Sequence, residues 1–598
     1  MALNHELSKL FDRMAAVMEI RGEVVFKSIA FRKMARVLKD MSLDLREVHA
    51  QGKLAEIEGC GKSCQKVIDE YLRTGQSTDY DELAASVPAG LLPLMEIPGL
   101  GPKTISLFWK ERKVTSLEDL VKALDDGSLE GLKGIGAKKL TSIKEGIAFL
   151  AKSGGRMGIG EALPIAEALV ERLRGIGVVQ RAEIAGSLRR RRETIGDVDL
   201  ICALKPSDGT AGAQVAQQFV QFPEVERILG QGNTKASVVT AGGLQVDVRI
   251  VPAENFGAAL LYFTGSKDHN VKLRGRAQDM GLTLNEWGLY KLSEYDKAQK
   301  KTAEAPAVKP VASVTEEEIY QKLGLPFIDP EMREDRGEID AALIGKLPRL
   351  IRRSDIRGDL HSHTTASDGV ASIEQMAEAA MALGYEYLAI TDHSKSQVIA
   401  NGLSVERLLK HVEAIHKVGE KLAGIKLLAG CEVDILADGS MDYEDAVLAE
   451  LDIVVGSPHA ALKQDEKKAT ERLLRAIDNR YVTIIGHPTG RLINSREGLP
   501  LDFGRIARAA AANGTALEIN AGYPRLDLNE QHAKAAIDAG VFLSIDTDAH
   551  SIEGLDEIDM GLGVARRAWV TSERVINCFS FKELISFIKR KRGGRPPV

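Results

Sequence analysis

The sequence has few of the features that would place it outside ordinary globular proteins. Its five cysteines in 598 residues are too few for a disulfide framework, and Cys60 and Cys64 lack the second pair of a zinc ribbon. No apolar run reaches the roughly 18 residues of a membrane helix. The first residues, MALNHELSKLFDRM, mix acids with bases and lack the layout of a signal peptide. We therefore expect a cytoplasmic protein with reduced thiols and no membrane partner.

Excess positive charge is also lacking. The net charge of -6 argues against a generally basic nucleic-acid binder, although it leaves room for local basic patches. Histidine is distributed unevenly: nine of the 12 histidines follow residue 360, whereas the front is rich in Lys, Arg and Gly. A chain of 598 residues exceeds a single core of about 250–300 residues, so several domains with different chemistries are expected.

The apolar pattern changes along the chain. Residues 1–150 have the three- and four-residue spacing of helices, and residues 155–290 mix helical patterns with strand-like runs typical of a mixed or antiparallel sheet. Residues 293–318 are charged and Ala/Pro-rich, which predicts a flexible loop. From residue 354 onward, strand-like and helical runs alternate over roughly 240 residues, which predicts a barrel of βα units.

Three glycine turns interrupt the helical front, and each is followed by lysine. One Gly-x-Gly turn is usually an ordinary helix connection, but three copies favour backbone N–H groups that hold DNA phosphates. A P-loop is excluded because Glu56 stands where that motif needs glycine. The candidate DNA-backbone contacts are Gly59, Gly61, Gly99, Gly101, Lys103, Gly134, Gly136 and Lys138.

Three aspartates in strand-like runs form a candidate catalytic centre. Asp197 and Asp199 are two residues apart and share one strand face, and Asp247 lies in a second alternating run. An Asp-x-Asp pair alone is typical of a polar strand edge, but carboxylates grouped on one face repel unless cations lie between them. Two Mg²⁺ or Mn²⁺ ions there would align a 3′-hydroxyl with an α-phosphate. The α-phosphate would belong to a nucleoside triphosphate. Hydrogen-bond donors to that triphosphate come just before the first strand-like run, at Gly186, Ser187 and Arg190.

The back of the chain places histidines and carboxylates after successive strand-like runs. In a βα barrel these positions converge on one face, and imidazole with carboxylate suits Zn²⁺, Mn²⁺ or Fe²⁺. A lone histidine after a strand is usually structural, whereas six at regular positions indicate a metal centre. The candidate ligands are His361, His363, Asp368, His393, Glu432, His459, His487, Asp548 and His550. His411, His416 and His532 lie in helical patterns and are interpreted as surface or packing residues without partners.

The aspartate pattern resembles the nucleotidyltransferase core of family X DNA polymerases, the DNA polymerase beta type. The resemblance implies a sugar-contacting turn and further nucleotide contacts at Tyr262, Phe263, Gly265, Asn270 and Arg274. Two positions depart from that family: Val67 stands where animal members carry a Schiff-base lysine, and Gln245 replaces an arginine before the third aspartate. We therefore expect no deoxyribose-phosphate lyase of the usual kind.

The order of the histidine motifs resembles the PHP domain (polymerase and histidinol phosphatase), a metal-dependent phosphoesterase. The resemblance implies two to three Zn²⁺, Mn²⁺ or Fe ions with Glu432 bridging. The first ion would be held by His361, His363, Glu432 and Asp548. The second would be held by Glu432, His459 and His487, and the third by Asp368, His393 and His550.

The joint resemblance implies a multidomain chain. Its parts are an N-terminal helix-hairpin-helix domain (1–80), a fingers-like region (81–150), a palm (151–255), a thumb (256–335), a linker (336–353), a PHP domain (354–575) and a C-terminal helix with a basic tail (576–598). We expect that tail to be disordered, and both a DNA contact and a solvated end remain open.

The implied function is a monomeric repair polymerase with two active sites. It would fill short gaps in primed DNA with dNTPs, as in base excision repair. Its PHP half would process 3′ ends as a 3′–5′ exonuclease, a 3′-phosphatase or a nuclease at abasic sites. Two alternatives remain: the PHP half hydrolyses a small phosphate ester such as histidinol phosphate, or the chain is a DNA-binding scaffold.

Overall fold

A computed structural model describes residues 2–22, 25–39, 45–57, 59–97, 100–153, 155–206, 210–298 and 308–594. The chain divides into two compact units, one comprising Met1–Gly155 with Asn494–Arg496 and the other Arg156–Ile493 with Glu497–Val598. All five cysteines are free thiols, as expected. Within the described ranges, no helix is long and apolar enough to cross a bilayer.

The first unit is helical. Its core is formed by buried side chains such as Phe11, Met14, Val67 and Ile68. Ser77 and Ser116 cap two of its helices by accepting hydrogen bonds from the backbone N–H groups three residues on. The helices are α1 (Ala2–Arg21), α2 (Val25–Lys39), α3 (Leu45–Ala50), α4 (Lys62–Thr74), α5 (Thr78–Ala85), α6 (Pro102–Arg112), α7 (Leu117–Asp125) and α8 (Ala137–Ser153).

The second unit begins with a mixed sheet, which confirms the α/β expectation. Strand order is β2-β4-β7-β6-β5, with β4 and β7 parallel and the other neighbours antiparallel. The strands are β1 (Met157–Gly158), β2 (Val179–Ile184), β3 (Thr194–Ile195), β4 (Asp197–Leu204), β5 (Val225–Gln231), β6 (Lys235–Thr240) and β7 (Gln245–Pro252). The helices are α9 (Ile159–Arg174), α10 (Gly186–Arg189) and α11 (Ala211–Phe219).

The next segment corrects the prediction of a loop over 293–318 at both ends of that range. Helices occupy both of its ends, and Val311, Val314 and Ser313 make backbone hydrogen bonds to Leu289 and to the start of α12. These backbone pairings order a stretch that lacks large apolar groups; residues 299–307 lie outside the described ranges. The elements are α12 (Phe256–Thr264), α13 (Lys267–Asp279), β8 (Leu282–Asn285), β9 (Gly288–Lys291), α14 (Leu292–Ala298), α15 (Glu316–Lys322) and α16 (Glu338–Leu343).

The rest of the chain forms the expected βα barrel, with seven strands in chain order in a nearly closed, all-parallel sheet. The strands are β10 (Gly358–Asp359), β11 (Tyr387–Ile390), β12 (Lys426–Asp434), β13 (Ile453–Ser457), β14 (Ile484–Ile485), β15 (Ala516–Asn520) and β16 (Leu543–Asp546). The helices are α17 (Ile373–Ala382), α18 (Val405–Lys421), α19 (Asp445–Leu448), α20 (Glu466–Asp478), α21 (Phe503–Asn513), α22 (Glu530–Asp538), α23 (Ile558–Arg567) and α24 (Phe581–Lys591).

The basic end of the chain is ordered further than expected. Helix α24 buries Leu584, Phe587 and Ile588 against the barrel. Lys591 Nζ donates to the carbonyl of Ile477 at 2.7 Å, and Arg592 Nη2 donates to that of Leu451 at 2.6 Å. The prediction of a disordered basic tail is therefore wrong through Arg592, because these cations bind carbonyl groups of the barrel; residues 595–598 lie outside the described ranges.

A buried carboxylate joins the mixed sheet to the segment that follows it. Glu316 accepts hydrogen bonds from Arg189 at 2.6 and 2.9 Å and from Arg333 at 2.6 Å. Burial alone would raise the pKa of Glu316, but the charges of Arg333 and Arg189 outweigh it and lower the pKa from 4.5 to about 2. The charged form therefore stabilises the fold above pH 4.5, and this contribution is lost as the pH falls towards 2.

We expect Glu316→Gln to lower the free energy of unfolding by about 3–5 kcal/mol at neutral pH, because the buried Arg333 and the partly buried Arg189 lose their partner. The variant should also flatten the loss of stability between pH 4.5 and 2. Urea unfolding followed by fluorescence measures both. Glu317→Gln, at the exposed next position, is the matched control; equal effects of the two variants would contradict the role given to Glu316.

Candidate active sites

The three aspartates meet on one face of the mixed sheet. Strands β4 and β7 are parallel and in register, so that Asp199 lies opposite Asp247 and Asp197 opposite Gln245. Along β4 the buried Val198 separates the exposed Asp197 from the half-buried Asp199. The two-residue period of a strand therefore brings all three carboxylates to the same side.

The negative charges of the three aspartates favour the binding of cations. Burial, and then the negative charges of Asp197 and Asp247, raise the pKa of Asp199 to about 6. Burial also favours a higher pKa for Asp247, but hydrogen bonds from Lys235 and Ser237 outweigh it and lower that pKa. Lys235 Nζ lies 2.7 Å from Asp247 Oδ2, a contact that the sequence interpretation missed. Lys235 compensates one of the three carboxylates, and grouped oxygen donors with the remaining negative charge fit Mg²⁺ or Mn²⁺.

The turn before β4 approaches these carboxylates closely. Gly186 has a φ of +65°, and a Cβ there would lie 2.9 Å from Asp199 Oδ2, so both conformation and space require glycine. Ser187 follows it in the short helix α10. The predicted Gly-Ser donors therefore adjoin the aspartate group.

Arg190 has protein partners in this structure. Its Nε donates to Glu334 at 3.0 Å and its Nη1 donates to the carbonyl of Thr264 at 2.5 Å. A Cβ on Gly265 would lie 3.2 Å from the same guanidinium, so the structure brings Gly265 and Arg190 together as predicted nucleotide contacts. Burial, the largest effect, lowers the pKa of Arg190. Arg190 would have to leave Glu334 to reach a triphosphate.

The other candidate nucleotide contacts gather where α12 passes into α13. Asn270 Nδ2 donates to the carbonyl of Tyr262 at 2.7 Å, and Arg274 Nε donates to that of Asn270 at 3.3 Å. The rings of Tyr262 and Phe263 pack edge to face with centroids 5.2 Å apart. Tyr262 is about one-third exposed, which leaves one ring available to a ligand.

The glycine turns of the first unit precede helices. Gly61 and Gly101 are the N-cap residues of α4 and α6, and Gly136 directly precedes α8. Gly59 and Gly134 have φ values of +80° and +84°, which favour glycine. The exposed Lys103 and Lys138 lie in the first turns of α6 and α8. Gly99 lies outside the described ranges.

The candidate metal ligands converge at one rim of the barrel. All but Glu432 follow a strand, Glu432 lies two residues before the end of β12, and the carboxyl ends of parallel strands share one edge of a sheet. Donor atoms approach within 4.8 Å of one another in three groups: His361, His363, Glu432 and Asp548; His363, Asp368, His393 and His550; and His393, Glu432 and His459.

Glu432 lies at the centre of these groups and is fully buried. Its Oε1 is 2.9 Å from His487 Nε2 and 3.2 Å from His459 Nε2, and its Oε2 is 2.7 Å from His393 Nδ1. Burial alone would raise the pKa of Glu432, but the surrounding imidazoles outweigh it and hold the pKa well below its usual range. A carboxylate surrounded in this way is suited to bridging ions.

The grouping agrees only in part with the predicted ligand sets. The first predicted set has the same four residues as the first group. The observed group that corresponds to the third predicted set contains His363 in addition to its three predicted members. In the group that corresponds to the second predicted set, His393 takes the place of His487 beside Glu432 and His459. The assignment of ligands to individual ions stays a prediction.

Unpaired polar atoms indicate that the rim fits metal ions. His393 Nδ1 and Glu432 Oε2 lie 2.7 Å apart but without hydrogen-bond geometry, and these two atoms and His361 Nε2 are buried and make no hydrogen bond within the described ranges. Buried polar atoms are nearly always paired, so unsatisfied lone pairs that converge here are the pattern of a metal centre. Imidazole and carboxylate donors suit Zn²⁺, Mn²⁺ and Fe²⁺ alike.

Carboxylates behind the ligands orient the imidazoles, and the sequence interpretation missed them. Glu518 Oε1 lies 2.7 Å from His361 Nδ1, and Asp434 Oδ1 lies 2.6 Å from His459 Nδ1. Such partners set which ring nitrogen faces a metal. Glu518 lies in β15, so a search for carboxylates in every barrel strand would have found it.

Two of the three helical histidines have carboxylate partners, which corrects their interpretation, whereas His532 is a packing residue as predicted. His411 Nε2 is 2.8 Å from Asp392 Oδ2, and His416 Nε2 is 3.0 Å from Asp452 Oδ2. His532 stacks on Phe503 with ring centroids 4.3 Å apart. These partners are distant in sequence, and only packing of the barrel brings them together.

Known protein families match three parts of the chain: a helix-hairpin-helix domain at residues 2–77, a DNA polymerase beta thumb at 259–334 and a PHP domain at 359–522. A mixed sheet with grouped aspartates, followed by a barrel with a histidine–carboxylate rim, defines a class of two-centre proteins for phosphoryl chemistry.

Relatives identify the family within this class. The DNA polymerase/3′-5′ exonuclease PolX of Bacillus subtilis (strain 168) is 39% identical over 98% of this chain and 99% of its own length. The chain therefore belongs to the family X DNA polymerases that carry a PHP domain. DNA polymerase lambda of Rattus norvegicus is 24% identical over 55% of this chain and 56% of that protein. A probable phosphatase of Thermoanaerobacter sp. (strain X514) is 30% identical over 40% of this chain and 97% of that protein.

Proposed function

We propose that the chain is a DNA polymerase and 3′–5′ exonuclease that fills short gaps during DNA repair. One observation carries the proposal: a single chain holds both a register-matched aspartate group and a rim of converging histidines and carboxylates. The relative with both activities in its name extends over nearly the whole chain. The substrates would be primed or gapped DNA and dNTPs.

At the sheet, Asp197, Asp199 and Asp247 would hold two Mg²⁺ or Mn²⁺ ions. Such ions align a 3′-hydroxyl with the α-phosphate and neutralise the charge that develops. Ser187 and Arg190 would bind the triphosphate, with Arg190 exchanging Glu334 for phosphate oxygens. Tyr262, at the surface beside Asn270, would contact the sugar.

At the barrel rim, the nine candidate ligands would hold two to three ions. Ions of this kind polarise a phosphoryl group and make water nucleophilic near neutral pH. Glu518 and Asp434 would keep the ring nitrogens of His361 and His459 in the orientation that binding requires. The product would be a shortened 3′ end, formed by hydrolysis of a phosphodiester.

Different parts of the chain would bind DNA, catalyse synthesis and catalyse hydrolysis. The helical residues 1–80 and 81–150 would hold the DNA backbone through their glycine turns, with residues 151–255 as palm, 256–335 as thumb, 336–353 as linker and 354–575 as the PHP domain. Val67 is buried, and the neighbouring Lys66 is exposed and paired with Asp79 at 2.6 Å. Val67 has no amine, and the amine of Lys66 is exposed and ion-paired, so neither residue supplies the buried amine of a Schiff-base lyase.

One substrate tests both halves. A gapped duplex with a 5′-labelled primer is incubated with Mn²⁺, with and without dNTPs. Lengthening with dNTPs and shortening without them are the expected results. A primer that only lengthens would refute exonuclease action on this DNA, and one that only shortens would refute polymerisation.

A second substrate class for the barrel has specific support. Its similarity to probable phosphatases extends over 40% of the chain and nearly the whole of those proteins. Terminal phosphate hydrolysis, on a 3′-phosphorylated primer or on a small ester such as histidinol phosphate, uses the same ligands. Comparing kcat/KM for these substrates with that for an unblocked primer distinguishes the possibilities.

A further inference from the structure

A cavity of about 210 Å³ lies in the second unit, and Arg567 in its wall donates to the carbonyl of Arg190. Its walls come from the turn after α10, from the segment before α16 and from barrel helices α22 and α23. Four arginines and two glutamates supply the charged lining: Arg191, Arg192, Arg336, Arg567, Glu193 and Glu530. The lining itself therefore carries an excess of positive charge, which Glu334 behind it offsets in part by accepting from Arg567.

Two guanidinium groups in this wall have buried nitrogens without a partner. Arg191 Nη1 and Arg567 Nη2 make no hydrogen bond within the part of the chain that the structure describes. Arg567 is only 3% exposed. The charge of Arg567 is compensated through its other nitrogens, so what remains is one donor position on each guanidinium that a small anion would satisfy.

The other groups of the wall are already engaged. Glu193 accepts from Arg491 at 2.7 Å, and Glu530 accepts from Arg336 at 2.6 Å and from Arg567 Nε. The remaining Arg567 nitrogen, Nη1, donates to Glu334 at 2.9 Å and to the carbonyl of Arg190. The carboxylates of the wall therefore leave the two nitrogens unsatisfied.

Backbone geometry holds Arg191 against the barrel. Its φ is +56°, in the left-handed region, and its stem packs on Gly563 of α23, where a Cβ would lie 3.2 Å from Arg191 Cβ. The first turn of α22 also lies in the wall, and a helix N-terminus favours negative charge. Both features suit a small anion with several acceptor oxygens.

We propose that this cavity is a binding site for inorganic phosphate or pyrophosphate. A volume of 210 Å³ is smaller than the pockets of about 300–1,000 Å³ that enclose drug-sized ligands, which favours a free anion over a whole nucleotide. Guanidinium groups match phosphate oxygens in geometry and charge. The site stands on these contacts alone and does not depend on the proposed polymerase or exonuclease activity.

Isothermal titration calorimetry of the full chain with each anion tests the proposal. No divalent ion is added, and binding that is unchanged in Glu432→Gln is not binding to ions retained at the barrel rim. We expect one site per chain in the wild type and an affinity at least about tenfold lower in Arg191→Gln. Arg508→Gln removes the same charge from an exposed position of α21 and should bind like the wild type.

The outcomes separate cleanly. Tighter binding of pyrophosphate than of inorganic phosphate means that the cavity binds two phosphate groups, and equal affinity for the two anions means that it binds one. Both results support the site. Absence of binding in the wild type, or equal affinity in Arg191→Gln, would overturn it. Should Arg191→Gln unfold, Arg192→Gln, whose side chain is 42% exposed, provides the second variant and is expected to weaken binding severalfold.

Discussion

Asp199→Asn is expected to lower primer extension by about a thousandfold, equivalent to about 4 kcal/mol of transition-state stabilisation. Asp199 lies in register with Asp247 and is the more buried of the two aspartates on β4. The amide has nearly the shape of the carboxylate but removes one of the charges that would hold the ions. Single-nucleotide incorporation on a gapped duplex measures the loss.

The same substitution should not destabilise the protein. The folded-state pKa of Asp199 is raised to about 6, so its charged form opposes folding above that pH. This penalty disappears below the unfolded value of 3.8. In buffer without divalent ions at pH 8, Asp199→Asn should therefore melt at the same temperature as the wild type or higher.

The control and the hydrolytic activity decide the interpretation. Asp279→Asn, at the exposed end of α13, should extend primers like the wild type. Asp199→Asn should still shorten the primer in the absence of dNTPs, because the candidate metal ligands of the hydrolytic centre belong to the barrel. Loss of both activities in a folded variant would contradict independent centres.

The second large effect is expected at Glu432. Glu432→Gln should reduce hydrolysis of a primer 3′ end by about a thousandfold or more, since this carboxylate adjoins two of the three donor groups. Metal analysis of the purified variant should show fewer bound ions per chain. Primer extension on the same preparation should be retained, which also shows that the chain is folded.

Two further variants grade this result. Glu518→Gln leaves every candidate ligand in place but weakens the partner of His361, so an intermediate loss of about 10–100-fold is expected. Glu450→Gln, at an exposed position of the barrel, should have no effect. Normal hydrolysis and metal content in Glu432→Gln would show that the rim is not the hydrolytic centre.

Local sequence patterns were enough to predict both centres. Asp197 and Asp199 share a face because the strand period is two, whatever surrounds the strand. The histidines after the barrel strands meet because the carboxyl ends of parallel strands lie at one edge. Such rules depend on spacing and strand direction, which are properties of the chain itself.

Partner choice within the centres could not be predicted in this way. Spacing puts His393 and His487 at equivalent strand ends, and only the folded barrel shows that His393 lies in the group with Glu432 and His459. Glu518 and Lys235 were missed because each resembles an ordinary strand residue until the neighbouring strand is in place. Burial then decides which charges shift their pKa values.

Long-range packing decided the remaining features. The pairing of Arg190 with Glu334 joins residues 144 positions apart, and the contact between Arg567 and Arg190 joins residues 377 apart. No local pattern encodes such distances. The sequence by itself determined most of the element types, with the ends of residues 293–318 and the C-terminal tail as exceptions, and which residues gather on the sheet and at the barrel rim. Only the tertiary structure decided which charges are paired and where a cavity with unpaired guanidinium groups remains, because both depend on surfaces that meet after the elements have formed.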